Sequence, residues 1–343
     1  AAVFVAAALR LEHATAGGAR NPVQVEQAAA LAERAVVLAR RPRLPYLVTL
    51  AGIGQEHPDP RPGHVAERAL ARHFADSPVA VRIRARLLAR KAPEQALALL
   101  DTADGDQALP GAWQLRGIAL EALGRLDEAL DADRRAIDEQ PESARAWTNL
   151  GVVLRKQKRW AESEQALARA TALAPDDVFA WNALGLTRRS AGDRAGAEQA
   201  FARALELRPD YSSPAYNLGN MLMAGGETER AVAAFERAVA ADPADVRAVS
   251  NLGDALLRIG RREEALLEFA RAAELAPGDL IPQHNLARTA LDLGLPALAL
   301  PAARRAAELD AKAHHGSWVL ADALLAQPDV DAAAALDAAR LAD

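Results

Sequence analysis

The chain has 343 residues, 51% hydrophobic but only 4% aromatic, so alanine and leucine must supply most of the buried surface, as in closely packed helices rather than sheet. A formal net charge of −5 and a pI near 5.9 argue against a general affinity for nucleic acid, which needs a basic surface facing the phosphates. Without cysteine there is no disulfide framework, no thiolate metal site and no thiol nucleophile.

The first element is "AAVFVAAALRLEHATAGG". Its apolar run from Ala1 to Leu9 is too short to cross a bilayer alone, and Arg10, Glu12 and His13 make its second half amphipathic. A first helix of a soluble fold is therefore preferred to the end of an upstream signal or membrane helix. A membrane partner is expected only if such an anchor precedes the chain. Cytoplasmic placement is favoured over periplasmic or membrane-tethered placement, and the oligomeric state is left open. Three further stretches read as helices: "EQAAALAERAVVLARRP" at 26–42, "HVAERALARHF" at 64–74 and "APEQALALLDTA" at 92–103. Irregular loops separate them, "EHPDPRPGH" being the longest.

From residue 110 the chain repeats. Glycines at 117, 151, 185, 219 and 253 are 34 residues apart, with Ala287 in the next place. Prolines keep the same interval at 141, 175, 209, 243 and 277. Trp113, Trp147 and Trp181 hold another phase, continued by Ala215, Val249 and Gln283. In the unit 144–177, Trp147, Leu150, Gly151 and Leu154 fall on one face of a helix. A second helix begins at Ala161, carries Leu167, Ala170 and Leu173 on its buried face, and is ended by Pro175, which cannot donate the helical hydrogen bond. Each unit is a helix hairpin. Gly151 sits mid-helix, where glycine costs up to ~1 kcal/mol relative to alanine, and close approach of the two helices is its expected compensation.

These phases, W…LG…L…A…L/F…A…P at a 34-residue period, resemble the tetratricopeptide repeat family. The resemblance covers six regular units over 110–313. Residues 1–109 then read as about three degenerate helix pairs, and 314–343, with Trp318, Leu320 and Leu324, as a terminal pair that lacks the closing proline and caps the stack. The fold class implied is all-α, a right-handed α-solenoid superhelix whose first helices line a concave groove for peptides or partner proteins.

The helical wheel indicates what that groove would show. With Trp147, Leu150, Gly151 and Leu154 in the core, Arg145, Asn149, Val152 and Lys156 form the neighbouring stripe. Successive units place Leu115 and Ile118, then Asn149 and Val152, then Phe179, Ala183 and Leu186 along it. Asn217 and Asn220, Asn251 and Asp254, and Asn285 and Arg288 complete it, so an apolar part gives way to an amide-rich one. Side-chain amides offer donors and acceptors that can pair with the backbone of an extended peptide whatever its sequence. The structural alternative is equally explicit: asparagines at this phase can bridge adjacent hairpins, and Phe179 can fill a gap between them.

A carboxylate clamp of the kind found in chaperone-binding relatives is not expected. Asn220 and Asn251 match its amides, but Tyr216, Ile281 and Asn285 stand where its cations would be. The asparagine series is more similar to the repeats preceding O-linked N-acetylglucosamine transferases, without their catalytic domain.

No catalytic, cofactor or metal site is expected. The histidines at 13, 57, 64, 73, 284, 314 and 315 form no HExxH, and His57, Asp59 and His64 share a proline-rich loop. "GIG" at 52–54 and "GGE" at 225–227 lack the lysine and strand of a phosphate loop. Asp131 and Asp133 are read as a helix surface, and the arginines of "RIGRREEA" at 258–265 as solvated, with helix-start carboxylates nearby. Two function classes remain: a non-catalytic interaction scaffold, and the recruitment or regulatory arm of a larger enzyme, glycosyltransferase-like or membrane-embedded. Arginine-rich, alanine-rich composition is associated with high-GC bacterial genomes.

Overall fold

A computed structural model describes residues 61–75, 77–102, 111–309 and 315–327, together with 47, 48, 51 and 338. The apolar run 1–9, the helix read at 26–42, the loop residues His57 and Asp59, "GIG", His314 and the tail from 328 lie outside these, apart from residue 338. The described residues contain helices and no strand.

The helices are α1 (Arg61–His73), α2 (Pro78–Leu88), α3 (Pro93–Thr102), α4 (Ala112–Ala122), α5 (Leu126–Glu139), α6 (Ala144–Lys156) and α7 (Trp160–Leu173) in one compact unit ending at Pro175. A second unit from Asp176 holds α8 (Val178–Ala191), α9 (Arg194–Leu207), α10 (Ser212–Ala224), α11 (Thr228–Ala241) and α12 (Val246–Arg258). It continues with α13 (Arg262–Leu275), α14 (Leu280–Asp292), α15 (Pro296–Leu309) and α16 (His315–Leu325). Within each unit the helices pair as antiparallel hairpins, and each hairpin packs on the next, which is the architecture of an α-solenoid.

Local chemistry explains the repeated boundaries. Four first helices, α6, α8, α12 and α14, start on a capping oxygen that satisfies amides the helix cannot: Asp177 accepts from the Phe179 and Ala180 N–H groups, Asp245 from Arg247, Asp279 from Ile281, and Ser143 from Ala146. Second helices end just before the repeating proline. The hairpin turn needs a left-handed residue, supplied by Gly124, Gly192, Gly226, Gly260 and Gly294 at φ of 74°, 88°, 77°, 81° and 70°. At this station the α6–α7 hairpin has Lys158, the one described non-glycine residue with positive φ (61°). Because a Cβ there crowds the backbone by about 1–2 kcal/mol, Lys158→Gly is expected to raise stability by about 1 kcal/mol, read as a higher urea midpoint. An unchanged or lower midpoint would mean that the lysine side chain offsets its own strain.

The mid-helix glycines serve close approach. A Cβ on Gly185, Gly219 or Gly253 would lie 2.5–2.7 Å from the ring of Phe201, Phe235 or Phe269, each from the second helix of its own hairpin, and on Gly151 would lie 2.4 Å from Leu167 Cγ. Those three rings are 0–1% exposed and are the largest fully buried side chains described. Leu150, Gly151 and Leu154 are buried as the pattern requires, while Trp147 is half-buried.

One reading is corrected at this station. Asp133, expected on a helix surface, is 0% exposed and stands over Gly117 where the later hairpins place Leu167, Phe201, Phe235 and Phe269. The helical wheel puts residue 133 on the inner face of α5, and position overrules polarity. Asp131 is exposed, as expected. The turn arginine Arg261 pairs with Glu264 at 2.6 and 2.5 Å on the surface.

Candidate partner-binding face

The amide-rich part of the stripe falls in the second unit, on the first helices α8, α10, α12 and α14. In this unit α8 touches α10, α10 touches α12, and α14 touches α16, so the stripes of neighbouring hairpins lie side by side. Asn217, Asn220, Asn251 and Asn285 are half-buried, and Arg288 is exposed. Two amide pairs join successive first helices: Asn217 Nδ2 donates to Asn182 Oδ1 at 3.1 Å, and Asn251 Nδ2 donates to Asn220 Oδ1 at 2.8 Å. Each asparagine amide has two N–H donors and an oxygen with two lone pairs, so each pair keeps unspent donors and acceptors. Desolvation raises the Asp254 carboxyl above its ordinary range, against the opposing pull of Arg258 and Arg288.

At the start of α8, Phe179 is 54% exposed. Its ring meets Tyr211 edge to face at 5.3 Å, and the Arg208 guanidinium sits 5.5 Å from the Phe179 ring and 6.0 Å from the Tyr211 ring. Tyr216 carries Arg247 at 5.1 Å. Leu186 is half-buried against Phe201 and Met221, and Ala183 is buried. Between α14 and α16 is a cavity of about 440 Å³ walled by Trp318, 51% exposed, with His284, Arg288, Asp292 and Asp322 around it.

In the first unit the stripe departs from expectation. Leu115 and Ile118 are 6% and 8% exposed and belong to a core with Val81 and Ala85 of α2 and Ala96 and Leu100 of α3. They are packing residues, because the irregular α2–α3 pair covers this side of α4. Val152 is half-buried, and Lys156 forms an ion pair with Glu121. Asn149 is half-buried, and its Nδ2 is buried without a hydrogen-bond partner.

Asn182, Tyr211 and Arg208 were not legible as members of this face. Asn182 lies one position before the phase of Asn217 and Asn251, and the other two sit at helix boundaries outside the wheel. The signal for Asn182 was in the repeated word itself, "WNALG".

Among the described residues, no group of three or more His, Asp or Glu side chains could hold a metal ion, and no helix is long and apolar enough to cross a membrane.

Stacked 34-residue hairpins with a small residue facing a large one define a helical-repeat protein. The tetratricopeptide repeat family matches residues 115–178, 182–243, 216–279 and 284–343, more than half of the chain, and the protein belongs to that family. Members of the family generally mediate protein–protein interactions and are typically non-catalytic scaffolds. No curated protein sequence matches the chain. Among solved structures, the APC/C hetero-tetramer Cut9-Hcn1 aligns with a TM-score of 0.54 at 15% identity, covering 87% of this chain and 55% of that one. The pilF protein of Pseudomonas aeruginosa aligns with a TM-score of 0.52 at 18% identity, covering 63% of this chain and 96% of that one. YrrB, described as a TPR protein with an unusual peptide-binding site, gives a TM-score of 0.44 at 23% identity, covering 62% and 99%.

Proposed function

We propose that the protein is a non-catalytic scaffold whose first-helix face in the second unit binds an extended segment of a partner protein. The observation that carries this reading is the pair of inter-helix amide contacts, Asn217 to Asn182 and Asn251 to Asn220. Mutual pairing fixes the orientation of all four amides while leaving each pair with donors and acceptors to spare, which suits the alternating N–H and C=O groups of an extended backbone. Asn285 and Arg288 continue the face beyond them, with Asp254 beside Asn251. Phe179 and Tyr211 supply an exposed aromatic corner for an apolar side chain of the ligand.

The experiment is quantitative affinity capture from native extract with the wild-type protein and the Asn217→Ala, Asn251→Ala double variant. Each alanine removes at least one backbone contact worth about 1 kcal/mol, so the double variant loses about 2 kcal/mol or more and affinity for the specific partner is expected to fall at least roughly thirtyfold. Undiminished recovery by a folded double variant would assign these amides to hairpin stacking alone.

A further inference from the structure

A second site lies in the first unit, on the side of α6 facing the second helices α5 and α7. Here a cavity of about 420 Å³ is floored by Leu130, Leu150 and Ala166, walled by Trp147, and flanked by Arg134 and Arg169. The floor residues are 3–8% exposed, whereas both arginines are exposed.

The repeat offers a comparison for Arg169. Arginine recurs at 135, 169, 203, 237, 271 and 305. In the second unit, Arg271 Nη2 donates to the Pro243 carbonyl at 2.8 Å and Arg305 Nε to the Pro277 carbonyl at 3.0 Å, each reaching back 28 residues. The same step from Arg169 leads to Pro141. That carbonyl instead accepts the Trp147 indole N–H at 2.8 Å. Trp147 thus occupies that carbonyl, and Arg169 makes no hydrogen bond or ion pair among the described residues while lining the cavity. Arg134 makes a loose contact, 3.9 Å, with exposed Asp131 and also attracts the Glu162 carboxylate across the rim. The one acid on the rim, Glu162, is engaged by Arg159 at 2.7 and 2.5 Å. An indole edge and aliphatic floor beside two exposed guanidinium groups, neither held in a hydrogen bond, suit an apolar side chain adjoining a carboxylate.

We infer that the Trp147 cavity, with Arg134 and Arg169, is a second docking site, which takes a short acidic segment of a partner protein that inserts one aromatic or leucine side chain. Its residues are distinct from those of the amide face.

The test uses a fluorescein-labelled hexapeptide, Glu-Asp-Leu-Phe-Glu-Asp, and its Gln-Asn-Leu-Phe-Gln-Asn counterpart, followed by anisotropy with the full chain. The acidic peptide is expected to bind saturably, to shift the Trp147 indole N–H resonance, and to bind at least tenfold more tightly than the neutral one. Arg134→Glu with Arg169→Glu, both at exposed positions, is expected to weaken it at least tenfold. Asn217→Ala with Asn251→Ala leaves it unchanged, which separates this site from the amide face. No saturable binding up to about 1 mM, equal affinity for the two peptides, or an unaltered affinity in the charge-reversed variant would overturn the inference.

Discussion

Asp133→Leu is expected to stabilise the protein by about 3 kcal/mol at pH 7, and Asp133→Asn to remove most of the pH dependence expected of the wild type. Asp133 is fully buried over Gly117, and neither carboxyl oxygen has a hydrogen-bond partner. Burial, and secondarily the Glu121 carboxylate, raises its pKa from 3.8 to about 8. The folded chain therefore keeps a proton that the unfolded chain gives up near pH 4. Stability from this group is fully present below the unfolded value and is lost as pH rises towards and through the folded one, by up to roughly 1.4 kcal/mol per pH unit. Leucine removes the ionisable group and supplies the apolar volume that Leu167 supplies over Gly151, so a polar desolvation penalty becomes hydrophobic burial. Urea unfolding at pH 5 and pH 7.5 checks both parts. The wild type should lose stability across that interval and the asparagine variant should lose much less. Parallel profiles for the two, or a destabilised leucine variant, would show that a partner group holds the Asp133 carboxylate in the folded chain.

Gly219→Val is expected to cost about 2–3 kcal/mol through overpacking. Its first added carbon would lie 2.5 Å from Phe235 Cε1, and that ring is 1% exposed, so neither helix can yield without opening the hairpin. The repeats show the same trade in natural form: where alanine replaces the glycine, at 287, the facing station holds Ala303 instead of phenylalanine, and both are 0% exposed. A double-mutant cycle isolates the effect. In a Phe235→Ala background, which itself loses about 3–5 kcal/mol, the valine should become nearly neutral, because it enters the space the ring vacated. Additive losses would mean that glycine is required at 219 for some reason other than the ring.

Period and helical wheel made the hairpins legible, since Gly, Pro and Trp each kept one phase for a separate physical reason: close approach, termination and packing. What escaped was set by neighbours rather than by phase. Asp133 looked like surface because polarity was weighed above its place in the series of Leu167 and Phe201. Leu115 and Ile118 looked like groove because the regular wheel was carried onto α4, whose neighbour is the irregular α2–α3 pair. Asn182 was missed because the inter-helix contact that recruits it joins two different phases, 182 to 217, and a single-phase comparison cannot find such a pair. The positive-φ series at 124, 192, 226, 260 and 294 was visible as glycine and needed only the backbone to explain it. Arg169 was visible too, but the cavity beside it and the hydrogen bond of Trp147 to Pro141 are seen only in the structure.

The proposed amide face is tested most directly by photocrosslinking. A photoreactive residue placed at Asp254, beside Asn251 on the first-helix face, is compared with one at Leu267, a residue of second helix α13 that is 68% exposed. After irradiation in native extract, peptide mapping of the Asp254 adducts should return one contiguous segment of one protein. That adduct should be lost with Asn217→Ala and Asn251→Ala and be missing from the Leu267 sample. The same adducts from both positions, or adducts that survive the double substitution in a folded protein, would contradict the account.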